Sequence, residues 1–555
     1  MELSVGRLAT IDVIIVAVYL VGITVLGVWI GRFIKTDEDF FLGGRNLPWW
    51  AIGMSMVVSD IGALELVGVA GMAYTYGIAV ANFDWIGCIP AMVVAAFIFI
   101  PYYWRAKVFT VPEFLGRRYN QFVRSLVALI WGVFFLFMLG IFFYTAALTM
   151  KILCGWPMTF SIILIATAVG IYTFFGGLAA VVFLDSIQCV ILFIGSFIIL
   201  GIAMFKVGGY SQLVDTVTAM GDKGQHFNLL VPPDTPTPFG WACVLFGLTF
   251  VLSPAYWLGN QAIVQRNLAA RSEYEAKKSV LWGGFLKLFI PIMLVGPGLA
   301  GVALHPGLEK GDDIFPTLIH DLLPPGLVGI VFAAFLAALI SSVDSYLNSA
   351  ATLWTKDIYQ QFIDYRKKYR YNIFLDLVPG LLFSAIGFVV RPFTSRFPSY
   401  KEFLMKERDE RHYMIVGRVL TLVFVVTGVF LAPITEKFPH IFGYMQTMLS
   451  IFQGPLLSII ILGLLWRRAN GKGAIAGLCL GVATSSTLFA IQDKLFTAPE
   501  PFLYIAWWAF LVGLVTTVVV SLLTKPEPPE KIEGLIYSSV RKSKRSQVNN
   551  ERLAG

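Results

Sequence analysis

Apolar stretches of about 20 residues recur along the whole sequence, and this is the length that a helix needs to cross the roughly 30 Å hydrocarbon core of a bilayer. In a globular domain such runs are interrupted at helix or strand period, which is not the case here. We therefore predict an all-α integral membrane protein with about thirteen spanning helices. The predicted spans are residues 11–31, 49–76, 81–104, 122–150, 158–177, 183–206, 238–262, 279–303, 328–359, 413–433, 441–466, 472–491 and 502–523.

The distribution of basic residues predicts how the chain is oriented. Its net charge is +8, but the basic residues lie between apolar segments and form no continuous basic face, so we expect no nucleic-acid partner. When the loops are assigned alternately to the two sides, one side collects most of them, including Arg117, Arg118, Arg266 and Arg271. The positive-inside rule places this side in the cytoplasm. We predict a multi-pass protein of the cell (plasma or inner) membrane, with its N-terminus outside and its C-terminus in the cytoplasm.

The spans form a single predicted membrane domain over residues 1–525. Residues 364–411 form a predicted cytoplasmic insertion, within which residues 374–390 are apolar but flanked by basic residues on both sides. A further crossing there would reverse every later loop, so we interpret 374–390 as an interfacial or re-entrant element. The polar residues 526–555 are predicted to be a flexible cytoplasmic tail.

Ionisable side chains inside the predicted spans are functional candidates, because a charge in the hydrocarbon core is costly. The principal ones are Asp60, Glu65, Asp84, Asp185, Lys287 and Asp344. The ammonium of Lys287 needs a partner at mid-membrane, and Glu65 and Asp84 are the expected acidic partners. The alternative is a buried ion pair that only fixes helix packing.

Two predicted spans contain polar, helix-breaking interruptions at matching places. They are residues 56–65 in the second span and residues 251–261 in the seventh. Because the two spans are five apart, residues 49–206 and 238–466 are candidate inverted repeats. Paired broken helices are typical of the central site of a secondary transporter, where unwound carbonyls coordinate a cation and amides meet a solute.

The ninth predicted span contains a stripe of polar side chains at helical spacing, Ser341, Ser342, Ser345 and Asn348. Such side chains often only bond a neighbouring helix. Their hydroxyls are also the hard oxygen donors that a dehydrated sodium ion requires. Sequence spacing leaves both interpretations open.

Several motifs resemble one known family. The most specific are Val111-Pro-Glu-Phe-Leu, Phe175-Gly-Gly-Leu-Ala-Ala-Val-Val-Phe-Leu-Asp185, Val264-Gln-Arg-Asn-Leu-Ala-Ala and Asn348-Ser-Ala-Ala-Thr-Leu-Trp-Thr-Lys-Asp-Ile-Tyr359. Over residues 40–490 the chain resembles the sodium/solute symporter family, most closely its sodium/glucose cotransporter branch. The resemblance implies a LeuT-type fold of five plus five inverted helices, with one extra N-terminal and two extra C-terminal helices.

The resemblance also implies a co-transported sodium ion and its ligands. The principal site would use the carbonyls of Val58, Ile61 and Ala338 and the hydroxyls of Ser341 and Ser342. A second sodium site would use Asp185 and Ser345, with Asp344 adding charge beside them.

The resemblance further implies a gated solute site. The solute would be met by Glu65, Asp84, Lys287 and Gln446. Tyr256 would stack under the solute and form the inner gate with Trp257, and Phe83 and Phe442 would form the outer gate. An aromatic lid suits a sugar, whose C–H face stacks on a ring while its hydroxyl groups form hydrogen bonds.

Four residues of the implied solute site differ from the sugar-transporting branch. Asp60 stands in place of an asparagine, and Glu65 in place of an amide or imidazole. Ser253 replaces an asparagine before the gate tyrosine, and Gly87 replaces a small polar residue. We include Asp60 and Ser253 among the candidate solute ligands. The added carboxylates favour either a solute with an amino group or a denser network of hydrogen bonds to hydroxyls.

Together these features predict a sodium-coupled symporter that imports a small polar solute, with a monosaccharide as the preferred class, by alternating access. The alternatives are a sodium symporter for sialic acid, inositol, an amino acid or a carboxylate, and a transporter-like membrane sensor. No Ser/His/Asp set, metal-ligand spacing or phosphate-binding loop indicates an enzyme. The expected partners are the solute and the lipid bilayer, with no obligate protein partner.

Overall fold

The computed structural model describes residues 9–221, 224–233, 235, 237–369, 409–435, 441–496, 498 and 501–537. Across these ranges the chain is almost entirely helical, and β-type pairing is limited to two isolated bridges. Eleven helices in these ranges are long and apolar enough to cross a bilayer, or twelve if the bent pair at residues 49–81 counts as one span. The prediction of an all-α membrane protein is therefore confirmed.

Fifteen helices are labelled here in chain order. They are α1 (Thr10–Gly31), α2 (Trp49–Asp60), α3 (Ala63–Tyr76), α4 (Phe83–Arg105), α5 (Val111–Arg118), α6 (Gln121–Cys154), α7 (Met158–Val207), α8 (Trp241–Gly259), α9 (Gln261–Leu268), α10 (Glu273–Leu304), α11 (Leu327–Leu353), α12 (Glu410–Thr435), α13 (Ile441–Leu465), α14 (Gly471–Ala490) and α15 (Phe502–Leu523). Helix α11 continues through Trp354–Tyr359 and Gln360–Tyr369. Short helices Asp37–Leu42, Tyr210–Thr218 and Ile314–Leu322 lie in the connections.

Helix α7 has 50 residues, which at 1.5 Å per residue would extend about 75 Å, more than twice the hydrocarbon thickness. It is interrupted at Gly177, whose φ of 50° lies in the left-handed region that favours glycine. A Cβ at this position would lie 2.4 Å from the carbonyl oxygen of Phe40. The sequence predicts two spans here, at 158–177 and 183–206, and the break falls at the end of the first. The total of thirteen spans requires α7 to cross twice and stays a prediction.

The first predicted interruption is present between α2 and α3. Ile61 leaves the helical region with φ −110° and ψ 86°, and Gly62 is extended with ψ 178°. The helices on the two sides of the break make an angle of 58°. Backbone groups near the break are therefore released from the helical hydrogen-bond pattern at mid-span.

The second predicted interruption is present between α8 and α9. Helix α8 contains a nine-residue π-helix, Val244–Leu252, and ends at Gly259 before the extended residue Asn260. The Asn260 side chain accepts a hydrogen bond from the backbone N–H of Ala262 at 2.9 Å and caps α9. Both broken elements thus lie within the stretches that the sequence predicted.

Helix α11 occupies the centre of the domain. In its most apolar stretch 83% of the residues are buried, against 22% for α1. It packs against α6, α7, α1 and α12, whereas α13, α14 and α15 pack mainly on one another. Because α11 is enclosed on all sides, its polar stripe has no access to lipid and must find partners within the protein.

Arg118 lies in the connection between α4 and α6, where it was predicted, but it is not exposed there. It is the last residue of α5 and is fully buried. Its guanidinium donates to the carbonyl oxygens of Gly463, Trp466 and Ala469 at 2.6, 3.0 and 3.0 Å. These carbonyls end or follow α13, where a helix lacks hydrogen-bond donors, so Arg118 caps this terminus.

The beginning of the predicted flexible tail packs against the membrane domain. Ile532 and Ile536 are buried, and Glu527 accepts the backbone N–H of Gly471 at 3.0 Å. The Lys531 ammonium donates to the carbonyl oxygen of Tyr119. The prediction of a flexible tail is therefore wrong for residues 526–537. Residues 538–555, and the predicted insertion from 370 to 408 with its apolar segment 374–390, lie outside the described residues.

Candidate functional site

A cavity lies at the break between α2 and α3, enclosed by these helices and by α4, α8, α10, α11 and α13. About 90 Å³ is open to the centres of water molecules, where one water needs roughly 10–15 Å³. The space therefore suits several waters or one small solute. All seven residues predicted to meet a solute line it: Asp60, Glu65, Asp84, Ser253, Tyr256, Lys287 and Gln446.

The ammonium of Lys287 lies between two aspartates on this cavity. It contacts Asp60 Oδ2 and donates to Asp84 Oδ1 at 2.7 Å, and the lysine is only 2% exposed. We call Asp60, Asp84 and Lys287 the cavity triad. Asp84 is a predicted partner, but the prediction of Glu65 as the other is wrong, because Asp60 at the end of α2 takes that place.

Glu65 bonds to its own helix instead. Its Oε2 accepts the backbone N–H of Gly62 at 2.7 Å, in the arrangement of a capping residue at the start of α3. A carboxylate at this end of a helix also interacts favourably with the helix dipole. This local bond explains why Glu65 does not reach Lys287, although Glu65 also lines the cavity.

Aromatic side chains form part of the cavity wall. Tyr256 and Trp257 pack edge to face with ring centroids 5.7 Å apart, and the Lys287 ammonium lies 5.9 Å from the centroid of Trp257. Phe83 packs against Phe239 at 5.7 Å. The structure thus brings three of the four predicted gate residues to the cavity. The fourth, Phe442, lies in the first turn of α13, and its side chain is outside what the structure describes.

Gln453 is a cavity residue that the sequence analysis missed. It is fully buried in α13, and neither its amide nitrogen nor its amide oxygen has a hydrogen-bond partner in the described protein. Gln446 lies seven residues earlier, which places both glutamines on one helix face. This i, i+7 spacing was the available signal. An unpartnered buried amide beside a cavity is suited to bind a polar ligand.

Gly87 lies directly against Ser253, so the residue types at these two positions depend on each other. A Cβ on Gly87 would lie 2.6 Å from Ser253 Oγ and 3.1 Å from Leu248 Cγ. The glycine therefore lets α4 approach α8 closely beside the cavity. The two departures from the sugar-transporting pattern are neighbours in space.

The break after α2 contacts the polar stripe of α11, where the principal sodium site was predicted. Ser342 Oγ donates to the carbonyl oxygens of Ser59 and Ala338 at 3.3 and 3.2 Å, and Ser341 Oγ lies 3.3 Å from Ser59 Oγ. Ser59, the neighbour of the predicted ligand Val58, thus contacts both predicted hydroxyl ligands of α11. Oxygen donors from an unwound segment and a facing helix are the environment that a hard cation prefers.

A second group of charges is sealed between α2, α7, α9 and α11. Arg266 Nη2 lies 3.2 Å from Asp185 Oδ2, and both side chains are fully buried. Asp344 Oδ2 accepts the Tyr172 hydroxyl at 2.6 Å, and its Oδ1 accepts the Ser345 hydroxyl at 3.2 Å. We call Asp185, Asp344 and Arg266 the sealed cluster.

The prediction that Arg266 lies in a cytoplasmic loop is wrong, because it belongs to the buried helix α9. Its guanidinium donates to Ser55 Oγ at 2.6 Å and to Ser59 Oγ at 2.7 Å, and it also contacts Ser345. Asp185 and Ser345, the predicted ligands of a second sodium, therefore both bond this arginine. One Asp185 oxygen, Oδ1, has no partner among the described residues.

The ligand atoms of Asp60, Asp84 and Cys88 lie within 4.8 Å of one another, a spacing compatible with a metal ion. Both aspartates already contact the Lys287 ammonium. The ammonium thus provides the positive charge at the place where a metal would bind. The group fits a charged hydrogen-bond network better than a metal centre.

Comparison with known proteins identifies a family and several relatives. The model of the sodium:solute symporter family matches residues 40–388 and 397–481. The chain is 29% identical over 542 residues to a sodium/glucose cotransporter of Vibrio parahaemolyticus, covering 93% of this chain and 91% of that one. It is 28% identical over 592 residues to sodium/glucose cotransporter 1 of Oryctolagus cuniculus, covering 97% and 82%.

Two solved structures share the architecture. A sodium-coupled sialic acid symporter in a substrate-bound outward-open state has a TM-score of 0.74 at 22% identity, covering 93% of this chain and 99% of that one. A nucleobase-cation-symport-1 family transporter in a closed conformation has a TM-score of 0.52 at 11% identity, covering 91% and 99%. At these identities the similarity shows the fold alone, and the predicted LeuT-type fold is confirmed.

Proposed function

We propose that this chain, which belongs to the sodium:solute symporter family, imports a monosaccharide together with sodium by alternating access. The family and the relatives establish a sodium-coupled symporter, embedded in a membrane, that carries a small molecule and is not an enzyme. The proposal adds the solute class, the direction of transport and the residues. We also propose that the protein lies in the cell membrane, with its N-terminus outside and its C-terminus in the cytoplasm.

The observation that carries the monosaccharide proposal is an unpartnered amide that lies beside an aromatic ring in one cavity. Gln453 offers an unpartnered buried amide, and Gln446 lies on the same helix face. Tyr256 lines the same cavity and can stack on the C–H face of a sugar ring. Named relatives are sodium/glucose cotransporters, which supports the same solute class.

In the proposed mechanism one sodium ion links the break after α2 to α11. The carbonyls of Val58, Ile61 and Ala338 and the hydroxyls of Ser341 and Ser342 would bind the ion. Because this ion bridges the two helices, it would order the unwound segment that borders the solute cavity. Coupling requires that sodium bind more tightly to the state that also binds solute. The membrane potential adds about 2.3 kcal/mol per charge per 100 mV.

The proposed gates close the cavity from both sides. Tyr256 and Trp257 would close the inner side, and Phe83 and Phe442 the outer side. A second sodium at Asp185 and Ser345 would have to displace the guanidinium that both residues now bond. We therefore assign coupling to the principal site.

A non-glucose solute is the second candidate, and one observation favours it. The cavity contains Asp60, Glu65 and Asp84 against a single base, Lys287, among the described residues that line it. A neutral sugar brings no positive charge to balance the three carboxylates. A structural relative transports sialic acid, so solutes other than glucose occur on this fold.

Uptake by proteoliposomes tests the proposed function. Labelled monosaccharides, inositol, sialic acid and amino acids are offered with an inward sodium gradient, and potassium replaces sodium in the control. We expect sodium-dependent accumulation of a monosaccharide. Uptake that persists in potassium would contradict sodium coupling, and exclusive uptake of an amino acid or carboxylate would contradict the solute class.

A pair of serine variants tests the principal sodium site. Ser342→Ala removes a proposed ligand and should raise the sodium concentration for half-maximal uptake about tenfold. Ser349→Ala, two turns further along the buried face of α11, should leave it unchanged. Equal effects of the two substitutions on sodium dependence would contradict the placement of the sodium site at Ser342.

A further inference from the structure

The cavity has an excess of negative charge. Its described lining contains the carboxyl groups of Asp60, Glu65 and Asp84 and the ammonium of Lys287, with no other lysine, arginine or histidine. The formal charge is therefore −2. In a region of low dielectric an unbalanced negative charge is unfavourable, and a cation that binds in the cavity relieves it.

One sodium ion can balance Glu65. Glu65 Oε2 and Ser342 Oγ lie 2.7 and 2.9 Å from the same point, the position of a Cβ on Gly62. The Glu65 carboxylate is therefore a close neighbour of a proposed sodium ligand. Its oxygen also bonds the Gly62 N–H at the start of α3, where negative charge is favoured. We assign the first of the two excess charges to the ion.

The second excess charge belongs to the cavity triad. Asp60 and Asp84 share the one ammonium of Lys287, so their formal sum is −1. The side chains of Asp60 and Asp84 are 16% and 12% exposed, whereas Lys287 is 3% exposed. The carboxylates thus face the cavity more than the base does. A carboxylate can accept about four hydrogen bonds, so the two retain capacity for a further donor.

We infer that the solute carries a protonated amino group, so that the preferred substrate is an amino-substituted monosaccharide of the hexosamine class. This inference rests on the proposed function and names the solute more narrowly. The ammonium brings the +1 that balances the cavity triad, and its N–H groups donate to Asp60 and Asp84. The hydroxyl groups of the sugar bond to the free amide of Gln453.

The carboxylates of Asp60 and Asp84 favour a cation that carries N–H groups. They form strong hydrogen bonds with such donors, which a quaternary ammonium lacks. The aromatic rings of Tyr256 and Trp257 add attraction for a cation near their faces. An anionic solute would add to the negative charge and would find Lys287 already bonded by two carboxylates. A primary ammonium on a polyhydroxylated ring satisfies both the charge and the hydrogen-bonding groups.

Competition for sodium-driven uptake tests this inference in the unaltered protein. D-Glucosamine, D-glucose and N-acetyl-D-glucosamine are compared at about pH 6.5, where the amine is protonated. We expect glucosamine to bind at least about tenfold more tightly than the other two. Each glucosamine taken up should also carry one more positive charge than each glucose, measured as current per solute. Equal or weaker binding of glucosamine would overturn the inference while leaving sodium-coupled sugar uptake intact.

Two charge-neutralising variants locate the recognition. Asp60→Asn makes the cavity triad neutral and should lower the glucosamine-to-glucose preference about tenfold. Glu65→Gln should weaken sodium binding while leaving this preference in place. If Glu65→Gln alone abolishes the preference, the amine is not bound by the triad. Sodium-independent uptake, or no uptake of any of the three, would overturn the proposed function itself and this inference with it.

Discussion

Two charge groups of the same composition lie within the membrane domain, and their surroundings differ. The cavity triad and the sealed cluster each contain two aspartates and one base. In the cavity triad the aspartate side chains are 16% and 12% exposed. In the sealed cluster the side chains of Asp185 and Arg266 are fully buried. Equal formal charge therefore occurs once beside an open space and once in an enclosed one.

The choice of base matches this difference. Arg266 reaches Asp185 and three serine hydroxyls with its planar fork, which suits a fixed network. Lys287 contributes a compact ammonium on a flexible stem, which can shift between partners when a ligand enters. The comparison teaches that the sealed cluster fixes the packing of four helices, whereas the cavity triad remains able to exchange a hydrogen bond with a solute.

The strongest test of the comparison is Arg266→Met. It leaves Asp185 and Asp344 buried without a counter-charge, and breaking a buried ion pair costs about 3–5 kcal/mol. We expect the protein to unfold at a much lower temperature in detergent, or not to be expressed at all. Arg271→Met is the matched control, because Arg271 is exposed, and it should change the stability by less than about 0.5 kcal/mol. An Arg266→Met protein as stable as the wild type, with tighter sodium binding, would instead make Arg266 a competitor of a second ion.

Lys287→Met sharpens the other half of the comparison. The Lys287 ammonium holds Asp60 and Asp84, the proposed solute ligands, in place, and its loss leaves the two carboxylates to repel each other. A hydrogen bond to a charged group contributes about 2 kcal/mol, so we expect solute transport to fall about 30-fold. The loss of stability should be smaller than in Arg266→Met, because water in the cavity can solvate the aspartates. The exposed Lys310→Met is the control. Unchanged solute affinity in Lys287→Met would show that the triad only fixes helix packing.

Gln453→Leu should have the smallest effect. The amide has no hydrogen-bond partner in the described protein, so its removal should cost no stability, while solute affinity should fall about tenfold. Gln188→Leu offers the opposite pattern. Gln188 is buried and donates to the Tyr19 hydroxyl at 3.1 Å, so its loss should reduce stability and leave solute affinity unchanged. Parallel loss of stability and affinity in both variants would remove Gln453 from the solute site.

Much of the fold could be predicted because it depends on local properties. The length of an apolar stretch determines whether a helix can span the membrane, and polar residues beside glycine indicate where one breaks. The break at Ile61 and Gly62 and the break at Asn260 both fall in predicted stretches. Motif resemblance then added the proposed sodium ligands, of which Ser341 and Ser342 contact Ser59 beside the first break.

The errors arose where partners are set by packing between distant segments. Arg266 follows an apolar span and has the spacing of a loop charge, but the short helix α9 places it against buried acceptors. Glu65 was predicted to pair with Lys287 because both lie at mid-membrane, but its carboxylate instead accepts a hydrogen bond from the backbone N–H of Gly62. Gln453 was overlooked since one glutamine in an apolar helix gives no sign of whether its amide is partnered.

The packed start of the tail bears on how the protein can be handled in the laboratory. A truncation or a fluorescent reporter placed at residue 526, where polar sequence begins, would remove Ile532 and Ile536 from their buried positions. It would also take the Lys531 ammonium from the carbonyl of Tyr119, next to the arginine that caps α13. A fluorescent reporter attached after residue 537 would leave these contacts intact, so that its signal reports on the working transporter.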